Sequence, residues 1–137
     1  MRELRARVSE PERLSHAVAV EAIMRELAAA AGGAAEEWAL AGLLHDIDLA
    51  ETKAEPSRHG VVGASLLARL GFSEAVVRAV EAHDDAAGVP RRAPIDHALY
   101  CADRTLDDAL RLSLLTMQAV SLPERAAPRA PAASERP

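Results

Sequence analysis

The chain has a single cysteine, Cys101, so it cannot form an internal disulfide bond. No apolar stretch approaches the roughly 20 residues that cross a bilayer, because charged residues interrupt every candidate. The N-terminal segment MRELRARVSE lacks the apolar region that a secretory signal needs. Together these absences predict a soluble protein of the reducing cytoplasm, with no membrane partner.

Aromatic residues are also scarce, since the chain has one Trp, one Tyr and one Phe. The charge is acidic, with 16 Lys and Arg against 21 Asp and Glu and a formal net charge of −5 at pH 7. A surface that binds nucleic acid usually combines clustered basic side chains with rings that stack on bases. We therefore expect no nucleic-acid partner.

The 137 residues, 50% of them hydrophobic, suit one domain and exclude a multidomain enzyme. The apolar residues are rich in alanine and poor in the β-branched and aromatic types that sheets favour. The sequence shows no strand-like alternation and no internal repeat. We predict an all-α bundle of about five core helices.

Turn signals divide this bundle into five segments. Ser9 and Glu12 are predicted to form a capping box at the first helix, and the glycines at 32 and 33 to end it. A loop is predicted from Asp48 to Ser57, and the final helix is predicted to begin near Pro94, with a break considered near Asp103. The predicted helices cover about residues 10–31, 34–47, 58–70, 74–84 and 94–120.

The C-terminal residues differ in composition from the rest. Residues 121–137 contain four of the eight prolines together with Ala, Arg, Glu and Ser. Such a segment cannot bury enough apolar surface to offset the entropy of ordering. We predict a domain over residues 1–120 and a disordered tail over residues 121–137.

Ligand-type side chains recur at inward-facing or helix-end positions of the predicted helices. His16 shares an apolar stripe with Val20, and Asp103 shares one with Leu99. An ionised carboxylate on such a stripe is costly to bury unless it is paired or coordinated. The full set is His16, His45, Asp46, His59, His83 and Asp103.

Each of these residues has an ordinary explanation when it is considered alone. A single buried His commonly bonds to a backbone carbonyl, and a single buried Asp commonly pairs with an arginine. Six such groups in one small bundle would need many separate partners, whereas one or two divalent metal ions would satisfy all of them. We therefore predict a metal site. His97, about 240° from Asp103 around the final helix, is predicted not to be a ligand.

The order of these residues resembles the HD-domain superfamily of metal-dependent hydrolases, in particular small stand-alone bacterial proteins of the HDIG type. The segment LAGLLHDID resembles the HD signature. The segments HGVVGASLLARLGFSEAVVRAVEAH and ALYCADR resemble the later blocks. The resemblance covers about Ser9 to Leu110 and implies a compact HD-domain helical bundle.

The resemblance also implies how the ligands divide. The first metal site is made by His16, His45, Asp46 and Asp103. The second uses His59 and His83, with Asp46 as the ligand that bridges both ions. One or two divalent ions are expected, and the metal is open among Fe, Mn, Co, Ni, Mg and Zn.

Some positions depart from the family pattern. Asp48 stands where an HDIG motif has Gly, which we expect to leave the ligands untouched. Asp84 stands where some members with more metals have a further His, which argues against a third ion. The short segment beyond Asp103 leaves two alternatives open: a pocket with a truncated wall, or a pocket completed by the second subunit of a homodimer.

A site of this kind predicts hydrolysis of a nucleotide or another small phosphoester by a metal-activated water. Lys53 and Arg58 lie in the loop before His59 and are predicted to contact the substrate phosphate, although a solvated Lys or a surface ion pair is the commoner role. Arg104 is a third cation close in sequence to a ligand.

Two other functions use the same residues. An HD-type diiron oxygenase would employ the same four His and two Asp, so the ligands alone do not separate it from a hydrolase. The short loops around the pocket favour the hydrolase. A non-catalytic signalling module is a weaker alternative, because it would need one of the six ligands to point away.

Overall fold

The computed structural model describes the backbone of residues 10–120 and the side chains of residues 10–109. Within these residues the chain forms six α-helices, two 3-10 turns and no strands, so the predicted all-α class is confirmed. The helices are α1 (Pro11–Ala31), α2 (Ala35–Leu44), α3 (Leu49–Thr52), α4 (Val61–Arg69), α5 (Glu74–Glu81) and α6 (Pro94–Val120). None of them is long and apolar enough to span a membrane.

The chain divides into two compact units, Met1–Leu106 and Asp107–Pro137. The first unit contains helices α1 to α5 and the start of α6, and the described part of the second, residues 107–120, is helical. The predicted tail at 121–137 and Ser9 of the predicted capping box lie outside the described residues.

The core of the first unit is built from the apolar faces of its helices. Helix α1 packs against α2, and α5 packs against both α2 and α4. Removing these apolar side chains from water drives the packing, at roughly 25 cal/mol per Å² of apolar surface. The largest fully buried apolar side chains are Met24, Ile47, Leu67, Leu99, Val20, Val76 and Val80.

A glycine allows α1 and α2 to approach each other closely. A Cβ atom at Gly42 would lie 2.9 Å from the backbone oxygen of Val20, a distance that side chains essentially never adopt. Because His45 follows Gly42 by three residues, this close approach also sets where His45 stands relative to α1. Gly42 therefore links the packing of the two helices to the position of a predicted metal ligand.

Several helix ends agree with the turn signals. Helix α1 ends at Ala31 and is capped by Gly32, whose φ of 74° is the left-handed conformation that favours glycine. Helix α5 begins after Ser73, whose hydroxyl accepts a hydrogen bond from the backbone N–H of Val76 at 3.3 Å. Helix α6 begins at Pro94 and runs without a break past Asp103.

The segment between α2 and α4 differs from the prediction. Helix α2 ends at Leu44 rather than near residue 47, and the predicted loop over 48–57 contains the short helix α3 and the start of a 3-10 turn, Pro56–Arg58. Helix α4 begins at Val61 rather than near residue 58, because Gly60 has a φ of 90° that no α-helix contains. These changes place His45, Asp46 and His59 in turns between helices.

Candidate metal centre

The six predicted ligands come from widely separated elements of the first unit and meet in space. Helix α1 supplies His16, α6 supplies Asp103, and His83 lies two residues beyond the end of α5. The turn after α2 supplies His45 and Asp46, and the residue after the 3-10 turn is His59. Their donor atoms form two groups, one of His16, His45, Asp46 and Asp103 and one of Asp46, His59 and His83.

The first group is centred on the carboxylate of Asp103. Its Oδ1 atom lies 2.9 Å from Nε2 of His16 and 3.2 Å from Nε2 of His45. The two Nε2 atoms are themselves 3.3 Å apart. Asp46 contributes Oδ2, at 3.2 Å from Nε2 of His45 and 3.8 Å from Nε2 of His16. Two imidazoles and two carboxylates therefore face one point.

The second group uses the other oxygen of Asp46. Oδ1 lies 3.0 Å from Nε2 of His59 and 3.4 Å from Nε2 of His83. The Nε2 atoms of His59 and His83 are 3.2 Å apart. Asp46 is thus the residue common to both groups, with one oxygen directed to each.

Three of the imidazoles are oriented by hydrogen bonds on their opposite edge. Nδ1 of His45 donates to the backbone oxygen of Gly42, and Nδ1 of His83 donates to that of Val80, both at 2.7 Å. Nδ1 of His59 donates instead to the carboxylate of Asp48, at 2.6 Å. With the proton on Nδ1, the neutral ring presents an electron pair on Nε2, which is the form that binds metals.

The electrostatics of the groups are dominated by opposite charges at short range. Burial opposes the charge of Asp46, but His45, His59 and His83 outweigh it and hold its pKa far below the usual range. Burial also opposes protonation of His59, yet hydrogen bonds to Asp46 and Asp48 raise its pKa to about 10. Without a metal ion, His59 therefore keeps its second proton at neutral pH, and its positive charge faces the carboxylates of Asp46 and Asp48.

The pKa values of the first group shift in the same sense. The hydrogen bond to Asp103 raises the pKa of His16. Burial opposes protonation of His45, but the charge of Asp46 outweighs it and the pKa of His45 is well above its usual value. Burial opposes the charge of Asp103 as well, and its contacts with His16 and His45 nevertheless lower its pKa.

The residues fit divalent metal ions. Neutral imidazole nitrogens at 3.2 to 3.3 Å from one another would bring their electron pairs together, so a proton or a cation has to lie between them. Imidazole and carboxylate donors suit several first-row divalent metals. The first group offers four such donors and the second offers three, of which Asp46 is shared.

The cations predicted to contact phosphate are not drawn into these groups. Arg58 is exposed and pairs with Glu55 at 3.2 Å, and Lys53, next to the end of α3, is exposed. Arg104 pairs with Asp85 at 2.7 Å, so its guanidinium is held by a partner other than the site. His97 is exposed and belongs to neither group of donors.

One residue of the centre has a role that sequence reasoning missed. The prediction that Asp48 leaves the ligands untouched is wrong, because Asp48 is buried and accepts a hydrogen bond from His59. The signal was available: an acidic residue stands two positions after Asp46 where the motif has Gly. At Asp84, the other departure, Oδ2 lies 4.0 Å from Nε2 of His59 while Oδ1 accepts from the N–H of Ala86.

Comparison with known proteins gives a family and two relatives. The family model described as HD domain matches residues 13–110. Ribonuclease Y of Lawsonia intracellularis (strain PHE/MN1-00) is 34% identical over 80 residues, which cover 58% of this chain and 15% of the relative. Ribonuclease Y of Sulfurovum sp. (strain NBC37-1) is 34% identical over 96 residues, which cover 70% of this chain and 18% of the relative.

The matched region spans less than a fifth of each of these two relatives. No solved structure matches the chain. The family match, in contrast, covers most of the chain and contains all six residues of the two donor groups. The chain therefore belongs to the HD domain family and carries its cluster of metal-binding His and Asp residues.

Proposed function

We propose that this protein is a metal-dependent phosphohydrolase that acts on a nucleotide or another small phosphoester. One observation carries the proposal: Asp46 directs Oδ1 to the imidazoles of His59 and His83 and Oδ2 to that of His45. A carboxylate used from both sides is suited to hold two divalent ions close together.

The residues divide the work of such a site. Divalent ions held here would supply Lewis-acid activation of water and of the phosphoryl group. Asp46 would fix the spacing of the two ions, since both of its oxygens are committed. Backbone carbonyls hold the rings of His45 and His83 in place, so little ordering of these ligands is needed when the ions bind.

We further propose that Lys53 and Arg58 contact the phosphate of the substrate. Arg58 is paired with Glu55 in an exposed contact three residues apart. Such surface pairs contribute about 0 to 1 kcal/mol, so an anionic substrate can take over the guanidinium at little cost. Lys53 is exposed and follows α3 directly.

The names of the two relatives support the proposal that the bond cleaved is a phosphoester. Their name, ribonuclease Y, describes an enzyme that cleaves RNA, and RNA is a chain of phosphodiesters. The formal net charge of −5 and the scarcity of aromatic rings favour a small phosphoester over a long nucleic acid for this chain. A nucleotide shares the reactive group with RNA and lacks its length.

The test is a comparison of metals and substrates. Protein purified without chelator or affinity tag is analysed for metal, and then assayed anaerobically with Mn²⁺ or Co²⁺ against nucleotides, an aryl phosphate and a short RNA. We expect phosphate release from the small substrates that does not depend on oxygen. The variant Asp46→Ala should be inactive, and His97→Ala should match the wild type.

A parallel assay in air with Fe²⁺, which records oxygen uptake and phosphate release together, separates the alternatives. Iron-dependent oxygen uptake coupled to substrate, with no phosphate released under any metal, would assign the protein to the diiron oxygenases. Cleavage of the RNA but of none of the small phosphoesters would contradict the proposal that the substrate is small. A protein that binds no metal would be a signalling module rather than an enzyme.

A further inference from the structure

Asp48 is a carboxylate with three hydrogen-bond donors around it. It is fully buried, at 0% exposure. Oδ2 accepts from the backbone N–H groups of Gly60 and Gly63, both at 2.7 Å. Oδ1 accepts from Nδ1 of His59 at 2.6 Å. The side chain therefore connects the start of α4 to a residue of the second donor group.

We propose that Asp48 is the positioning residue of the second metal site. Its carboxylate keeps the proton of the His59 ring on Nδ1, so that Nε2 presents its electron pair beside Asp46 and His83. This inference rests on the proposed function, because it requires His59 to bind a metal ion. It assigns a role to a residue that lies outside both donor groups.

The carboxylate has no freedom to turn away from His59. The two glycine N–H groups fix Oδ2, which leaves Oδ1 for the imidazole. Gly63 gives the carboxylate room, because a Cβ atom there would lie 3.2 Å from Oδ2. The hydroxyl of Thr52 donates to the backbone oxygen of Asp48 at 2.9 Å and holds the main chain as well.

The contrast with the other two oriented histidines shows why the second site depends on Asp48. His45 and His83 donate to neutral backbone carbonyls, whereas His59 donates to an anion. A carboxylate behind an imidazole increases the basicity of the ligating nitrogen. The first group contains two carboxylates, but the second contains only the shared Asp46. Through its hydrogen bond to His59, Asp48 adds negative charge to the second site, which has fewer carboxylates of its own.

The variant Asp48→Asn tests the tautomer directly. The Asn oxygen has to face the two fixed donors at Gly60 and Gly63, because an NH₂ group there would meet two N–H groups. The Asn NH₂ group then points at Nδ1 of His59, which must become an acceptor. The ring proton moves to Nε2, and the nitrogen that should bind metal is blocked.

A matched control exists in the same unit. Asp96 is 4% exposed, and its Oδ2 accepts from the backbone N–H groups of Arg92 and Ala93, both at 3.0 Å. Its Oδ1 is buried without a partner among the described residues. Asp96→Asn therefore repeats the chemical change and the two backbone donors, with no imidazole at the other end.

The experiment has two readouts that do not depend on turnover. Nitrogen NMR of the metal-free protein above pH 10, where the His59 ring has lost one of its two protons, reports which ring nitrogen keeps the other, and calorimetric titration with Mn²⁺ or Zn²⁺ near pH 7 counts the ions. The wild type should bind two ions. Asp48→Asn should move the His59 proton to Nε2 and weaken the second ion by about 10- to 100-fold, with the first unchanged. Asp96→Asn should bind two ions like the wild type.

A second variant covers the case in which Asp48→Asn does not fold. Asp48→Gly removes the carboxylate without adding a donor against His59, and we expect it to weaken the second ion less than Asn does. Added formate, a small carboxylate, should restore part of that loss. Two ions bound with wild-type affinity in both variants, or in whichever one folds, would overturn the inference. A wild type that binds no ion would instead overturn the proposed function.

Discussion

Oδ1 of Asp46 lies 3.0 Å from Nε2 of His59, and the other oxygen of the same carboxylate serves the first donor group. We predict that Asp46→Ala loses metal binding at both sites and loses activity, while the chain still folds. The side chain is partly exposed at 23%, so its removal leaves no large cavity. Metal analysis and circular dichroism check this, and full metal content with normal turnover would contradict a shared ligand.

Replacing a ligand that belongs to only one donor group should weaken metal binding at that site and leave the other site occupied. His83→Ala should lose the ion of the second group and most turnover, and leave partial occupancy at the first. His16→Ala should lower the metal affinity of the first site, since Nε2 of His16 contacts Asp103 in that group. His97→Ala, at an exposed position of α6, serves as the control. Equal loss of both ions in each variant would mean that the sites are not independent.

The stability of metal-free protein should depend on pH with a known sign. The pKa of His59 rises from its usual 6.5 to about 10 in the folded chain, so its contribution is fully present below 6.5 and is lost as the pH rises through 10. We expect the free energy of unfolding in urea, with chelator present, to fall over this range. His59→Gln should show a flatter dependence. If the unfolding free energy of this variant falls equally steeply with pH, groups other than His59 cause the pH dependence.

The lowered pKa of Asp103 makes the free energy of unfolding depend on pH in the acid range as well. A carboxyl group with a lowered pKa stabilises the fold above its unfolded value of about 3.9 and loses that contribution as the pH falls. We expect Asp103→Asn to be less sensitive to acid than the wild type in urea unfolding at pH 2 to 5. Identical acid transitions would contradict the ion pairs with His16 and His45.

The close approach at Gly42 predicts a stability effect that is independent of metal. Gly42→Ala places a Cβ atom 2.9 Å from the backbone oxygen of Val20, so α1 and α2 must move apart. We expect a loss of about 1 to 3 kcal/mol of unfolding free energy. Ser65→Ala, at an exposed site inside α4, should change stability by about 0.5 kcal/mol or less. No loss in Gly42→Ala would show that the helices adjust freely.

Residues on long amphipathic helices could be predicted from the sequence. His16 and Asp103 lie on stripes whose other members, Val20 and Leu99, are fully buried, and a helical period is enough to infer that. The all-α class and most helix ends follow from the same period and from glycine and proline signals. The resemblance to the HD-domain family then implied how the six ligands divide between two metal sites.

The residues in turns could not be predicted in this way. Asp48 lies between α2 and α3, where no period applies, and its partners Gly60 and Gly63 are 12 and 15 residues away. The helix α3 is only four residues long, which is too short for a pattern. Arg104 is adjacent to Asp103 in sequence, yet it pairs with Asp85, because neighbouring residues of a helix point in different directions.

The contact between His16 and Asp103 joins residues that are 87 positions apart. Closing a chain segment of this length is entropically costly, so the contact can persist only after the intervening helices have packed. An unfolded chain therefore cannot assemble the first site, and an ion bound there stabilises the native state. Under this linkage, the melting temperature of the protein would rise with the concentration of metal ions.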